Sequence, residues 1–149
     1  MKLQRIEAPT DGTPFWIFHD SSEVLSPNRK TAAYFHHLSQ MPHGDSYFQL
    51  LFAKRVFPGF IWGTASFWSP CSRFIAASWA GFSDVPQTRQ GVLIDLAQWR
   101  FLDLGPFFEI RRIDEICIEG TDIGGNPRRF NFERIDSWQT VLPDESRVL

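Results

Sequence analysis

Two cysteines in 149 residues, with no CxxC pair, are too few to staple a scaffold. Cys71 and Cys117 sit on separate apolar stretches and read as small buried hydrophobes in a reducing compartment. Long apolar runs are also missing: none approaches the roughly 18 residues that suggest a membrane span. The opening MKLQRIEAPTDG lacks the apolar segment of a secretory signal. A cytoplasmic chain with no membrane partner is expected. Charge of one sign is scarce too, since 15 Lys and Arg face 17 Asp and Glu for a net charge of -2, which leaves no general field for nucleic acid or anionic lipid. The balance does shift along the chain, from +2 over residues 1–81 to -4 over residues 82–149.

What is abundant is aromatic. Fifteen Phe, six Trp and two Tyr make 15% of the residues, and flat rings suit a half-buried pleated surface better than a tight helix bundle. Helical periodicity is hard to find, whereas strand-like runs recur at residues 14–20, 31–38, 47–57, 60–68, 73–79, 91–96, 99–104, 107–113, 115–120 and 128–135. Turn-forming stretches such as QMPHGDS, FSDVPQTRQ and TDIGGNP separate several of them. The pattern predicts an all-β chain of antiparallel hairpins in a single β-rich domain over residues 1–149.

An echo orders these runs. SPNRKTAAYF begins at Ser26 and SPCSRFIAASW at Ser69, 43 residues later, with Lys30 aligned on Arg73. Proline cannot donate to a sheet ladder and belongs just before a strand, so each Ser-Pro should lead into a hairpin. A third step of 43 reaches Arg112, where IDEICIEG, a Gly-rich loop and RRFNFE keep the order strand, loop, strand. Units near 26–68, 69–111 and 112–140 follow. SPCSRFIAASW with the later GVLIDL resembles the Ser-Pro-Asp-Gly-Arg repeat of β-propeller blades, with Cys71-Ser72 and Asn28-Arg29 standing where that repeat has Asp-Gly. A propeller needs about four blades to close. Three units therefore predict a curved-sheet, sandwich-like or partial-propeller domain, with a homodimer as the alternative way to cover open edges.

Catalytic motifs are absent from the sequence. There is no G-x-S-x-G elbow, and Cys71 has no base or helix N-terminus near it in sequence. GTDIGGNP has neither a Walker lysine nor G-x-G-x-x-G spacing and reads as a hairpin loop. His36 and His37 are adjacent in a strand and point to opposite faces, so they cannot both ligate one ion; the best trio for a metal is His37, His43 and Asp45, and solvent-facing histidines are the simpler reading. The doublets in EIRRI and NPRRF are surrounded by acids and read as ion pairs along a strand. The rings of FIWGTASFWSP read as core.

No cofactor, no metal and no enzymatic activity are expected. The leading reading is a noncatalytic protein-binding domain. FWSPCSRFIAASW followed by VLIDL resembles bacterial immunity proteins that neutralise a toxin delivered between cells. That resemblance implies a cognate protein toxin as partner, inhibited by occlusion of its active cleft. Under the repeat alignment His43, Asp45, Asp84 and Asp122 fall in equivalent loops on one rim and are the contact candidates. The alternatives are an enzyme or small-ligand binder whose site assembles from distant strands, and a structural domain that associates with its own copies.

Overall fold

A computed structural model describes residues 3–18, 20–40, 46–80 and 89–141. The first half of the chain forms β1 (Gln4–Glu7), β2 (Pro14–Trp16), β3 (Ser22–Leu25), β4 (Ala32–Gln40), β5 (Ser46–Phe52), β6 (Arg55–Val56), β7 (Ile61–Trp62) and β8 (Ala65–Trp68). The second half forms β9 (Phe74–Trp79), β10 (Gln90–Asp95), β11 (Arg100–Pro106), β12 (Glu109–Ile113), β13 (Cys117–Thr121), β14 (Pro127–Asn131), one 3-10 turn (Phe132–Arg134) and β15 (Gln139–Thr140). The fold is all-β, with no α-helix among the described residues.

A mixed, unclosed sheet runs β1-β3-β4-β5-β7-β9-β10-β11-β15, with β6 attached to β5 and β2 reached through β8 from β9. Its pairs are antiparallel except β1 with β3, which lie parallel from Gln4 opposite Ser22 to Glu7 opposite Leu25. A parallel pair needs a long crossover, which residues 8–21 supply with β2 inside it. A second, three-stranded sheet has the order β12-β13-β14.

Several boundaries differ from the sequence expectation. The run expected over 47–57 folds back on itself, because Ala53 and Lys54 adopt φ of 50° and 63° and make a two-residue hairpin turn. The run over 60–68 divides at Gly63-Thr64 into β7 and β8, just after Gly63 N donates to Ser46 O at 2.7 Å in register with the β5–β7 ladder. The short strands β1, β3 and β15 had no counterpart among the expected runs.

The two Ser-Pro turns have the same hydrogen bonds. Ser26 N donates to Thr31 O at 2.8 Å and Arg29 N to Ser26 O at 2.9 Å; Ser69 N donates to Phe74 O at 2.8 Å and Ser72 N to Ser69 O at 2.8 Å. The serines matter more than the prolines. Both are fully buried, and each Oγ accepts from the amide five residues on, Thr31 at 3.2 Å and Phe74 at 3.0 Å. Arg29 and Ser72 take φ of 64° and 66°, so non-glycine residues fill the left-handed position of a tight turn. The flanking registers agree as well, with Leu25 opposite Ala32 and Trp68 opposite Ile75. The two turns touch, Asn28 N donating to Ser72 Oγ at 3.0 Å. The turn from β12 to β13 is built otherwise: Asp114 N donates to Cys117 O, and Asp114 Oδ1 accepts from the amides of Ile116 and Cys117.

Side-chain alternation distributes β9 between two cores. Ile75, Ala77 and Trp79 enter one with Phe35, Phe48, Phe57, Ile94 and Phe101. Phe74 and Ala76 enter the other with Leu93, Leu102, Ile110, Ile113, Ile118 and Phe132, which joins the small sheet to the large one. A further join is backbone to backbone: Ile113 N donates to Gly12 O at 3.3 Å, and a Cβ on Gly12 would lie 1.8 Å from Ile113 O.

Gly12 and Gly125 share a φ of 78°, but a Cβ on Gly125 meets nothing within 4 Å. Gly125→Ala should therefore cost only the left-handed penalty of about 1 kcal/mol. Gly12→Ala should cost about 3 kcal/mol because backbone must move. Urea denaturation of the two variants checks this, and equal losses would refute the close approach at Gly12.

Candidate functional site

Of the four contact residues expected from sequence, His43, Asp45 and Asp84 lie outside the described residues. Asp122 heads the β13–β14 turn, where its Oδ1 accepts from Gly124 N at 3.0 Å and Asn126 N at 2.9 Å and its Oδ2 lies 3.8 Å from Arg128 Nη1. Its carboxylate thus holds the loop in shape. His36 is exposed and stacks on Tyr34, while His37 sits edge-on to Phe48 with Nε2 3.3 Å from Ser46 Oγ, so the two rings point apart. Arg129 pairs with Glu119 across β13 and β14 at 3.8 Å. Trp62, Phe67 and Trp68 are buried core residues.

The exposed aromatics are elsewhere. Trp16 is 52% exposed, Phe18 56% and Phe107 54%. Trp16 and Phe18 stack with centroids 6.4 Å apart and planes 7° from parallel. Trp16 and Phe107 border a groove of about 550 Å³ whose base includes the buried Phe67 and Phe108, with Arg89, Glu109 and Arg111 also lining it. The groove runs between β2, which pairs only with β8 among the described residues, and β12, the outer strand of the small sheet. Phe107 is held at a φ of 53°, its amide donating to Arg89 O at 2.8 Å. Phe107 thus combines a positive φ with a large ring presented to water. Sequence reading put both rings inside strands; the one available signal was Gly105-Pro106, which ends β11 just before Phe107.

On another side of the molecule a carboxylate is buried. Asp95, at the end of β10, has no exposed surface and accepts from Arg73 Nε at 3.0 Å, Arg73 Nη2 at 2.8 Å and Arg100 Nε at 2.9 Å. The amides of Ala97 and Gln98 donate to its Oδ1 at 3.0 and 3.2 Å, shaping the turn into β11. Burial alone would push this carboxyl up. The hydrogen bonds from Arg73, then Arg100 and Gln98, outweigh burial and hold it below its ordinary value. A depressed carboxyl contributes stability that is present above its unfolded pKa, near 4, and is lost as pH falls through the folded value.

Asp95→Asn should lower stability by about 3 kcal/mol at pH 7, as for breaking a buried ion pair. The gap between wild type and variant should close as pH drops below about 4. Chemical denaturation across pH 2 to 7, roughly spanning that window, measures it; a gap independent of pH would show that the charge on Asp95 does not stabilise the fold. A comparison of the chain with protein-family models, curated proteins and solved structures finds no match among any of them.

Proposed function

We propose that this chain is a noncatalytic protein-binding domain whose contact surface is centred on the groove between β2 and β12. The exposure of Trp16 and Phe107 on one groove, with the exposed Phe18 stacked on Trp16, carries the reading. Tryptophan and arginine are the residues that most often dominate a binding interface, and here Trp16 stands beside Arg89 and Arg111 over an apolar base. The stacked Trp16–Phe18 pair is preorganised, so little side-chain freedom is lost on contact.

The resemblance of residues 67–79 and 92–96 to immunity proteins makes the partner a protein toxin, neutralised by covering its active cleft. The finer architecture proposed with it is a stack of repeat units. Val24 and Ala33 pack into the core that also receives Ile75 and Ala77. Their counterparts 43 residues on, Phe67 and Ala76, pack instead against the small sheet. Each unit would thereby lay one face on the back of the next, as propeller blades do, without closing a ring.

Co-expression with a toxin encoded next to this chain tests the function. Wild type should restore growth, and the double variant W16A/F107A should weaken complex formation by roughly 30-fold, about 2 kcal/mol, while staying folded, because both rings are half exposed. Full affinity in the double variant would move the contact surface elsewhere. Failure of wild type to bind or rescue against any neighbouring toxin would end the immunity reading.

A further inference from the structure

A second cleft, of about 570 Å³, lies beside the Asp95 cluster and is lined by Arg73, Phe74, Arg100, Phe132 and Trp138, with Glu115 and Glu133 also bordering it. Its volume is that of a small-molecule site. Arg100 uses only Nε on Asp95, which leaves both terminal amino groups without an acceptor among the described residues; Arg73 Nη1 is likewise without one among them. Their side chains are 29% and 39% exposed, so these donors are reachable. Both guanidinium groups are fixed from behind by a buried carboxylate and from the side by rings, Arg100 lying 4.4 Å over Trp138 and Arg73 5.1 Å over Phe74. Phe74 is in turn 4.7 Å from Phe132 and 6.2 Å from Trp138, so the cations adjoin a continuous aromatic wall. The cleft thus combines reachable cationic donors, held in a fixed geometry, with an aromatic wall.

We propose that this cleft binds a small molecule carrying a carboxylate or phosphate on a flat apolar body. The oxyanion accepts from the free amino groups of Arg73 and Arg100, where charge-assisted hydrogen bonds in a preset geometry are strongest. The flat body lies against Phe74, Phe132 and Trp138. Glu115 and Glu133 border the same cleft and repel any anion that enters it, so they limit its affinity. The site is independent of the groove between β2 and β12.

The experiment titrates phenyl phosphate, benzoate and neutral benzamide into the labelled protein and follows the Trp138 indole N–H signal, assigned with Trp138→Phe. Saturable shifts are expected with one or both anions and not with benzamide; which anion binds distinguishes phosphate from carboxylate. Arg100→Gln should weaken the anion at least tenfold. Glu115→Gln with Glu133→Gln should tighten it severalfold without touching Asp95, and this variant decides the matter if Arg100→Gln does not fold. No saturable shift with either anion, an equal response to benzamide, or unchanged affinity in the glutamine variant would each overturn the proposal.

Discussion

The architecture depends on β9 and β10 being buried on both faces. Phe74, Ile75, Ala76, Ala77 and Trp79 leave almost no surface, and Val92, Leu93 and Ile94 leave none. Antiparallel strands usually keep one wet face; here the small sheet covers the second one. The small residues Ala76 and Ala77 set the spacing, since each presents only a methyl group toward the layer it faces. Remove the three-stranded sheet and Phe67, Leu93 and Leu102 would all lose their cover.

Asp95 works within the same pair of strands. It terminates β10, ties Arg73 ahead of β9 to Arg100 at the head of β11, and shapes the intervening turn. Three consecutive strands are thereby pinned at one end by a single carboxylate. Lys30, which aligns with Arg73 in the earlier Ser-Pro turn, is exposed, and 43 residues before Asp95 the chain has Phe52 rather than an acid. The two turns therefore share a backbone and differ in chemistry, and the later one borders a cleft.

How much of this was legible can be argued residue by residue. FIAASW reads as a strand with both faces apolar because it contains no polar residue before Ser78, and it folds so. The Ser-Pro echo was visible, but its cause was not: the buried hydroxyls of Ser26 and Ser69 close the turns, a contact that depends on burial rather than on spacing. The hairpin at Ala53-Lys54 was illegible, since neither residue signals a positive φ and the surrounding fold imposes it. Exposed rings cannot be told from core rings by residue type, so Trp16 and Phe107 read as ordinary strand residues in the sequence. Arg73, Asp95 and Arg100 are separated by 22 and 5 residues, and nothing short of the strand register brings them together. Asp122 was rightly placed in a loop, where much of its hydrogen bonding turns inward.

The ends of the large sheet have a consequence for how this molecule meets others. Along its main path the outermost strands among the described residues are β1, only four residues long and mostly polar, and β15, which offers just Gln139 and Thr140. Such short terminators give an incoming strand little ladder to extend, so growth of the sheet from copy to copy is disfavoured at both margins. Any contact made at these margins would rest on side chains, which discriminate among neighbours where a bare backbone edge would accept almost any of them.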